Sequence, residues 1–287
     1  NKTILVTGGF GSIGSEIVRQ LLNYNVKIII YDNNECSYYN FKNELKNYKN
    51  YKNVIFILGC ISNYNKVECL LSMYNIDIIY HVAAYKHVPI LEDNQYEAIK
   101  INIIGTKNVA DLSLKYNIKK FILISTDKAV NPTSVMGASK RVSEMYIQYL
   151  WNKYKKTQFI ITRFGNVLGS SGSVLPTFIN NINNNLNLQL TDINITRYFM
   201  TIPEAAKLVL LSSCICENNN IVLFNMGEPI KIYDLAKNLL KMMKREDLSI
   251  NIIGLRPGEK LHEELYYKNE IVLDTKYDKI LLLKSNI

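Results

Sequence analysis

A short strand that runs into a spaced glycine turn and then into a helix most narrows what this chain can fold into. Thr3 to Thr7 is apolar and β-branched, the composition of a buried strand. It leads into Gly8-Gly9-Phe10-Gly11-Ser12-Ile13-Gly14, with glycines falling at Gly8, Gly11 and Gly14. The helix that follows, Ser12 to Tyr24, sets Ile13, Ile17, Val18, Leu21 and Leu22 on one face. Backbone N–H groups and the helix dipole make such a turn an anion site. The next strand, Val26 to Tyr31, ends at Asp32, about 20 residues past the glycines. A carboxylate there accepts the ribose hydroxyls of NAD and repels a 2′-phosphate, although Asn33 and Asn34 are small enough to leave room for NADP. Glycine spacing alone also suits an ordinary turn. The strand before it, the helix after it and Asp32 in register favour a dinucleotide site.

The same alternation continues. Strands are expected at Val54–Leu58, Asp77–Val82, Lys120–Ser125 and Phe159–Arg163, with helices over Lys66–Tyr74, Gln95–Tyr116 and Met136–Tyr154. Strands alternating with helices predict an α/β fold, a doubly wound parallel sheet covered on both faces. After Gly169 the pattern loosens into Asn-rich loops. A helix at Pro203–Glu217, a strand at Ile221–Asn225, a helix at Ile232–Lys244 and a short strand at Ser249–Ile253 suggest a smaller lobe. The expected division is a dinucleotide-binding domain over 1–168 and a nucleotide-sugar-binding lobe over 169–287, with the chain free to interleave between them. A length of 287 residues suits that arrangement.

Composition excludes several classes. The net charge of +9 permits nucleic acid as a partner, but Lys and Arg are spread along the chain, with short clusters only at Lys119-Lys120 and Lys153 to Lys156. A solvated basic surface that attracts small anions is the better reading, and no nucleic-acid groove is expected. Cys36, Cys60, Cys69, Cys214 and Cys216 form no metal pattern, so no metal is expected. An odd cysteine count without a leader argues for a reducing, cytoplasmic setting. No apolar run approaches ~20 residues, so no membrane span is expected in this chain, which starts at Asn1.

Chemistry gathers after the strand that ends near Ile124. Ser125-Thr126-Asp127-Lys128-Ala129-Val130-Asn131-Pro132-Thr133-Ser134-Val135-Met136-Gly137-Ala138-Ser139-Lys140 stands where a short-chain dehydrogenase would carry Tyr-x-x-x-Lys. The lysine is Lys140, but the tyrosine position holds Met136, whose thioether has no proton to exchange. Thr126, Asp127 and Lys128 then become the candidates for proton transfer. In isolation Asp127 suits a turn cap, Lys128 a surface lysine and Met136 a core residue.

These segments resemble the bacterial UDP-N-acetylglucosamine 4,6-dehydratases, a branch of the extended short-chain dehydrogenase/reductases used in polysaccharide biosynthesis. The resemblance rests on Thr7 to Glu16, on His81-Val82-Ala83-Ala84-Tyr85-Lys86-His87-Val88-Pro89, on Ser125 to Arg141, on Arg163 to Ser173 and on Leu255-Arg256-Pro257-Gly258-Glu259-Lys260. Thr196 to Glu204 and Asn225 to Pro229 also fit, so nearly the whole chain is covered. The resemblance implies a hydro-lyase with NAD as a recycled hydride carrier. Asp127 is then the acid at O6, Lys128 the base at C5, Thr126 the contact to the C4 hydroxyl, and Lys140 the cation beside the nicotinamide ribose. For Lys128 to act as a base its pKa must fall, which burial and Lys140 are expected to promote.

By the same carry-over, Gly8, Gly11, Ser12, Ile13, Gly14, Asp32, Ala83 and Ala84 hold the cofactor. Lys86, His87, Asn166, Ser173, Val174, Arg197, Arg256 and Glu259 hold the substrate, with the two arginines offering forks to phosphate. Tyr85 and Lys86 are candidates for the pocket wall beneath the nicotinamide. Many family members carry an Asp where Gly59-Cys60-Ile61 stands, so adenine recognition leans on Ile61 and backbone groups around Cys60. Relatives with this glycine loop often carry an N-terminal membrane region. The Met-x-x-x-Lys form occurs in dehydratases that keep C5 and in bifunctional ones that invert it, and both remain open. A UDP-sugar 4-epimerase has no need of the Asp127-Lys128 pair, and a non-catalytic dinucleotide sensor no need of either. Apolar positions around more than one face of two helices (Ile99, Ile103, Val109 and Leu112; Val142, Met145, Tyr146, Tyr149 and Leu150) predict a homo-oligomer, at least a dimer.

Overall fold

A computed structural model describes residues 2–216 and 220–284. Asn1, the expected helix end at Glu217 and the last three residues of the second lobe lie outside them. Six strands carry the fold: β1 (Thr3–Thr7), β2 (Lys27–Asp32), β3 (Val54–Leu58), β4 (Ile78–His81), β5 (Lys120–Ile124) and β6 (Gln158–Arg163). They pair in parallel in the order β3-β2-β1-β4-β5-β6. Strand order reverses between β1 and β4, and an open sheet of this kind leaves a crevice there, at the carboxyl ends. Both faces of the strands are apolar because helices cover both. One core joins Ile4, Val6, Ile28 and Ile30 to Ile17, Val18 and Leu21 of helix α1 (Ser12–Leu21). The other joins Leu5, Ile29, Ile79 and Phe121 to Val109, Leu112, Ile147 and Trp151.

The doubly wound, parallel expectation is met in the central sheet and departs from it at one edge. Ile221–Phe224 continues the parallel order beside β6. Beyond it lie two antiparallel strands that the sequence reading did not assign, Ile280–Lys284 and Ile271–Asp274. Thr275 tightens their connection, accepting from the Tyr277 N–H at 3.1 Å and donating to the Ile280 carbonyl at 2.7 Å. The chain therefore crosses back over the 168/169 boundary. A smaller core of its own is built from Phe178, Ile182, Leu188, Leu190, Ile232, Ala236 and Leu240.

Three local differences have physical causes. The Asn-rich stretch after Gly169 contains a helix, Val174–Asn183, whose buried Phe178 and Ile182 anchor it despite Asn at its end. A helix over Glu35–Leu45 was also not assigned; the Asn34 side chain caps it by accepting from the Ser37 N–H at 2.9 Å. The helix expected over Gln95–Tyr116 is not uniform. Ala98–Gly105 is wound as a π-helix between α-helical Gln95–Glu97 and Thr106–Lys115. Widened turns of this type recur near functional sites. Here the widening turns buried Asn102 toward the loop after β4, where it bonds the Tyr85 N–H at 2.8 Å and the Tyr85 carbonyl at 3.0 Å.

His81 closes β4 as a structural residue. Its ring nitrogens lie 2.9 Å from Thr7 Oγ1 and 3.0 Å from Thr106 Oγ1. Burial, with Lys140 adding to it, pushes the imidazole pKa down to about 3. The folded chain therefore refuses a proton that the unfolded chain accepts below about pH 6.5. Stability is lost as pH falls from there toward the folded value. Denaturant titrations over that range should give a His81→Gln variant a shallower loss than the parent, by up to about 1.4 kcal/mol per pH unit. Equal slopes would contradict the neutral, buried assignment.

Candidate active site

The crevice between β1 and β4 is shaped by backbone contact. Gly8 has a φ of +69°, and a Cβ there would come 2.5 Å from the Ala83 backbone nitrogen. A Cβ on Gly14 would collide with the Gly8 carbonyl oxygen. The turn, the 83–84 loop and the start of α1 thus meet with no room for side chains. Gly11, the N-cap of α1, has no side-chain cap, which leaves the N–H groups of the first turn, around Ser12 and Ile13, without side-chain acceptors. Asp32 is held by the Phe10 N–H at 2.9 Å and the Asn34 N–H at 3.0 Å. At the adjoining strand end Cys60 Sγ lies 3.1 Å from Ser62 Oγ, the Cys60 carbonyl accepts from Tyr31 at 3.0 Å, and Ile61 is buried. A dinucleotide fits these features: close backbone approach, free donors for a pyrophosphate and a fixed carboxylate for a ribose.

The proton-handling residues lie at the end of β5. The Asp127 N–H bonds the Phe164 carbonyl at 3.1 Å, which seats the residue between β5 and β6. Its carboxylate is fully buried; Oδ1 accepts from Thr126 Oγ1 at 2.8 Å and from Lys128 Nζ at 3.0 Å. Lys128 Nζ also donates to Asn166 Oδ1 at 2.9 Å and lies 3.4 Å from Glu263 Oε1. Asp127 Oδ2 and Glu263 Oε2 are buried without hydrogen-bond partners.

This geometry corrects the expectation for Lys128. Burial does push its pKa down, but the carboxylates of Asp127 and Glu263 outweigh burial and the nearby Arg197 charge, so the net shift is upward. Lys140 is depressed instead: burial brings it down to about 8 against a smaller upward pull from Glu144. Lys140 Nζ donates to the Ile124 carbonyl at 2.6 Å. Met136, one helical turn earlier, packs against Leu91 and Ala98 as an apolar residue. Behind them Glu144 accepts from Ser125 Oγ at 2.6 Å and from Arg163 at 2.8 Å and 3.1 Å.

A cavity of about 250 Å³ opens beside Lys128. Lys86, His87, Asn166, Arg197, Arg256 and Glu259, the residues that the resemblance assigned to a substrate together with Ser173 and Val174, line it. Burial pushes the pKa of Lys86 down, and burial with the Lys86 charge does the same to His87. Lys86 reaches across to the Ser171 carbonyl at 2.7 Å. Arg197 departs from the picture of a free fork. It donates to the Thr196 carbonyl at 2.7 Å, the Leu261 carbonyl at 3.2 Å and Glu259 Oε1 at 3.3 Å, so its guanidinium already braces the wall. Ser173, the N-cap of the Val174–Asn183 helix, has a buried hydroxyl without a partner, and Val174 packs into the small core. Ser173 follows Gly172, which does face the cavity. Glu263 also lines the cavity, outside every motif that the sequence reading quoted, as do Lys260, Thr133 and Ser134, which stood inside those motifs without a role. Glu263 stands three residues beyond the Arg256-to-Lys260 motif, and no pattern singles it out from Glu264.

Among the described residues no cluster of potential metal ligands occurs, and no helix is long and apolar enough to cross a membrane.

Residues 4–285 match the family described as polysaccharide biosynthesis protein. The chain is similar to the capsular polysaccharide biosynthesis protein CapD of Staphylococcus aureus, with 48% identity over 98% of this chain and 47% of that protein. It is also similar to UDP-N-acetylglucosamine 4,6-dehydratase (inverting) of Campylobacter jejuni, with 35% identity over 100% of this chain and 84% of that one. UDP-glucose 4-epimerase of Rickettsia bellii is 34% identical over 94% of this chain and 79% of that one. The chain thus spans about half the length of CapD and most of the other two. Among solved structures, Pen from Bacillus thuringiensis superimposes with a TM-score of 0.93 at 32% identity, covering 99% of this chain and 90% of that one. The dTDP-glucose 4,6-dehydratase DesIV from Streptomyces venezuelae, solved with NAD bound, gives a TM-score of 0.82 at 21% identity, covering 92% and 88%, a likeness of fold.

Proposed function

The chain belongs to the polysaccharide biosynthesis protein family of nucleotide-sugar dehydratases and epimerases, and from that premise we propose that it is an NAD-dependent UDP-N-acetylglucosamine 4,6-dehydratase. The observation that carries this reading is the Asp127–Lys128 ion pair at the end of β5, at 3.0 Å, with Met136 in the tyrosine position. The C. jejuni relative bears the same activity in its name.

The reaction removes water from the sugar in three stages: oxidation at C4, loss of the C5 proton with the C6 hydroxyl, and reduction at C6. Bound NAD supplies the reversible hydride chemistry at the first and last stages. Gly8, Gly11, Ser12, Ile13 and Gly14 are read as its pyrophosphate turn, Asp32 as its ribose acceptor, with Cys60, Ile61, Ala83 and Ala84 beside it. Asp32 favours NAD over NADP by charge repulsion. Lys140 is charged below about pH 8, where it favours loss of the C4 hydroxyl proton. Thr126, which donates to Asp127, contacts the C4 hydroxyl, and the proton released there leaves to solvent, from which C5 is reprotonated at the end.

The pair itself carries the middle stage. Elimination needs a protonated Asp127 and a neutral Lys128, which hold together the same number of protons as the ion pair. Moving one proton from Lys128 to Asp127 arms acid and base. When Lys128 takes the C5 proton and Asp127 gives its own to O6, the ion pair returns. The cations Lys86 and Arg256 and the amide of Asn166 suit a diphosphate, while Ser173, Val174, His87, Arg197 and Glu259 frame the nucleotide. Retention and inversion at C5 use the same groups up to the final protonation.

Exposed Ile99, Val142, Met145 and Tyr149 support an assembly of at least two copies, whereas Val109, Leu112 and Leu150 are spent on the core. A monomer mass by light scattering at micromolar concentration would overturn that assembly.

A second reading, a UDP-sugar 4-epimerase, is favoured by the R. bellii relative. Variants separate the two. Lys128→Met should cut dehydration ~10²–10⁴-fold, the usual cost of losing a general base, without preventing C4 oxidation. Met136→Tyr should be tolerated far better. Near-normal turnover of Lys128→Met, measured as release of the 4-keto-6-deoxy sugar, would reject the dehydratase assignment of this pair.

A further inference from the structure

Glu263 is the buried charge near the site to which the reading above gives no task. Its side chain is only 3% exposed, and Oε2 has no hydrogen-bond partner. Leaving a buried carboxylate oxygen unpaired is costly, and native chains seldom do so without a use for the group. The segment around it is pinned from several sides. The Leu261 carbonyl accepts from the Thr196 N–H at 3.1 Å, His262 Nδ1 lies 2.8 Å from Thr196 Oγ1, and Lys260 Nζ donates to the Val130 carbonyl at 2.6 Å. Tyr267 reaches the Ala129 carbonyl at 2.8 Å. Glu263 is thus held against the 126–130 turn by the bonds of its sequence neighbours as well as by its charge. Its Oε1 stands 3.4 Å from Lys128 Nζ and 4.0 Å from Arg197 Nε. Arg197 is the weaker partner, because its other nitrogens serve Glu259 and two carbonyls.

We propose that Glu263 is a positioning residue that acts through Lys128, holding the ammonium that forms when the lysine takes the C5 proton. This rests on the dehydratase reading and deepens it. In the elimination the C5–H electron pair becomes the second bond between C5 and C6. The C6–O bond breaks, and O6 leaves as water with the Asp127 proton. At that moment Lys128 gains a positive charge and Asp127 a negative one. Glu263 is a second carboxylate placed to stabilise the new cation, and it aims Nζ between Asp127 and Asn166. Other charges also face Lys128. Asp127 lies on its own turn and Arg197 on the short strand Thr196–Arg197. Lys86 and His87 come from the loop after β4, and Arg256, Glu259 and Lys260 from the segment that carries Glu263. Of these, Asp127 and Glu263 pull the lysine toward its charged form and Arg197 opposes them.

The test uses the full chain with ¹³C-labelled lysine, the Lys128 signal being assigned by its loss in Lys128→Met. Glu263→Gln should begin to lose the Lys128 ammonium about 1 pH unit lower than the parent, the usual effect of one adjacent opposite charge. With UDP-N-acetylglucosamine, its kcat should fall about tenfold, the cost of an Nζ no longer aimed between Asp127 and Asn166, with KM unchanged. Glu263→Asp, which keeps the charge, should recover part of both. Glu264→Gln, whose carboxylate bonds Asn131 on the surface, should match the parent. An unshifted Lys128 titration in a folded Glu263→Gln protein would overturn the proposal. So would a shifted titration with unchanged kcat. A parent that titrates as expected but never dehydrates the sugar would instead overturn the dehydratase reading, and with it the role given to Glu263.

Discussion

The site depends on a carboxylate that never meets water. Glu144 lies fully buried in the Val135–Lys153 helix, one turn beyond Lys140. It binds Ser125 at the end of β5 and Arg163 at the end of β6, and Arg163 reaches on to Glu270 at 2.9 Å. Four segments that carry the proposed site residues are therefore tied to one charge cluster: the Thr126–Lys128 turn, the Lys140 helix, the short strand Asn166–Leu168 and the stretch from Glu259 to Glu270. Breaking a buried pair of this kind from one side costs ~3–5 kcal/mol, because the surviving charge is left alone in an apolar interior. Among the described residues Arg163 is the largest fully buried side chain, and its charge is tolerable because Glu144 and Glu270 both face it.

The electrostatics in front of that cluster point the other way. Behind the strand ends the buried charges of Glu144, Arg163 and Glu270 face one another in close pairs. At the cavity, Asp127 and Glu263 each keep one oxygen without a partner while sharing Lys128. A structural network would be expected to satisfy both. An arrangement that leaves acceptors open beside a movable proton suits a site where protons change place during a reaction. The high pKa of Lys128 belongs to the same picture, since a lysine strongly stabilised as an ammonium is a strong base once its proton has moved to Asp127.

Much of this was legible in the sequence, and the exceptions share a cause. β1 with its glycine turn, Asp32 and the alternation through β6 were readable because local period and turn chemistry decide them. The Asp127–Lys128 pair was readable because neighbours in sequence stay neighbours in space. The direction of the Lys128 shift was not, since it is set by Glu263, which folding brings 135 positions back along the chain (263 − 128). The π-helical turn at Ala98–Gly105 was hidden behind an apolar pattern that suits an ordinary helix equally well. The edge hairpin was missed because both strands are short: Ile280–Lys284 takes its register from Ile221–Phe224, and Ile271–Asp274 from Ile280–Lys284. Arg197 looked like a free phosphate fork because two of its partners, the Thr196 and Leu261 carbonyls, are backbone groups that carry no sequence signal.

The central claim is that this chain eliminates water from a UDP-sugar through Asp127 and Lys128. The most direct measurement is an incubation of the protein and NAD with UDP-N-acetylglucosamine in deuterated water, followed by NMR of the sugar. The account predicts a 4-keto-6-deoxy product with solvent deuterium at C5 and the substrate's own C4 hydrogen in the new methyl group. A 4-epimer that keeps its C6 hydroxyl and its original C5 hydrogen would contradict it.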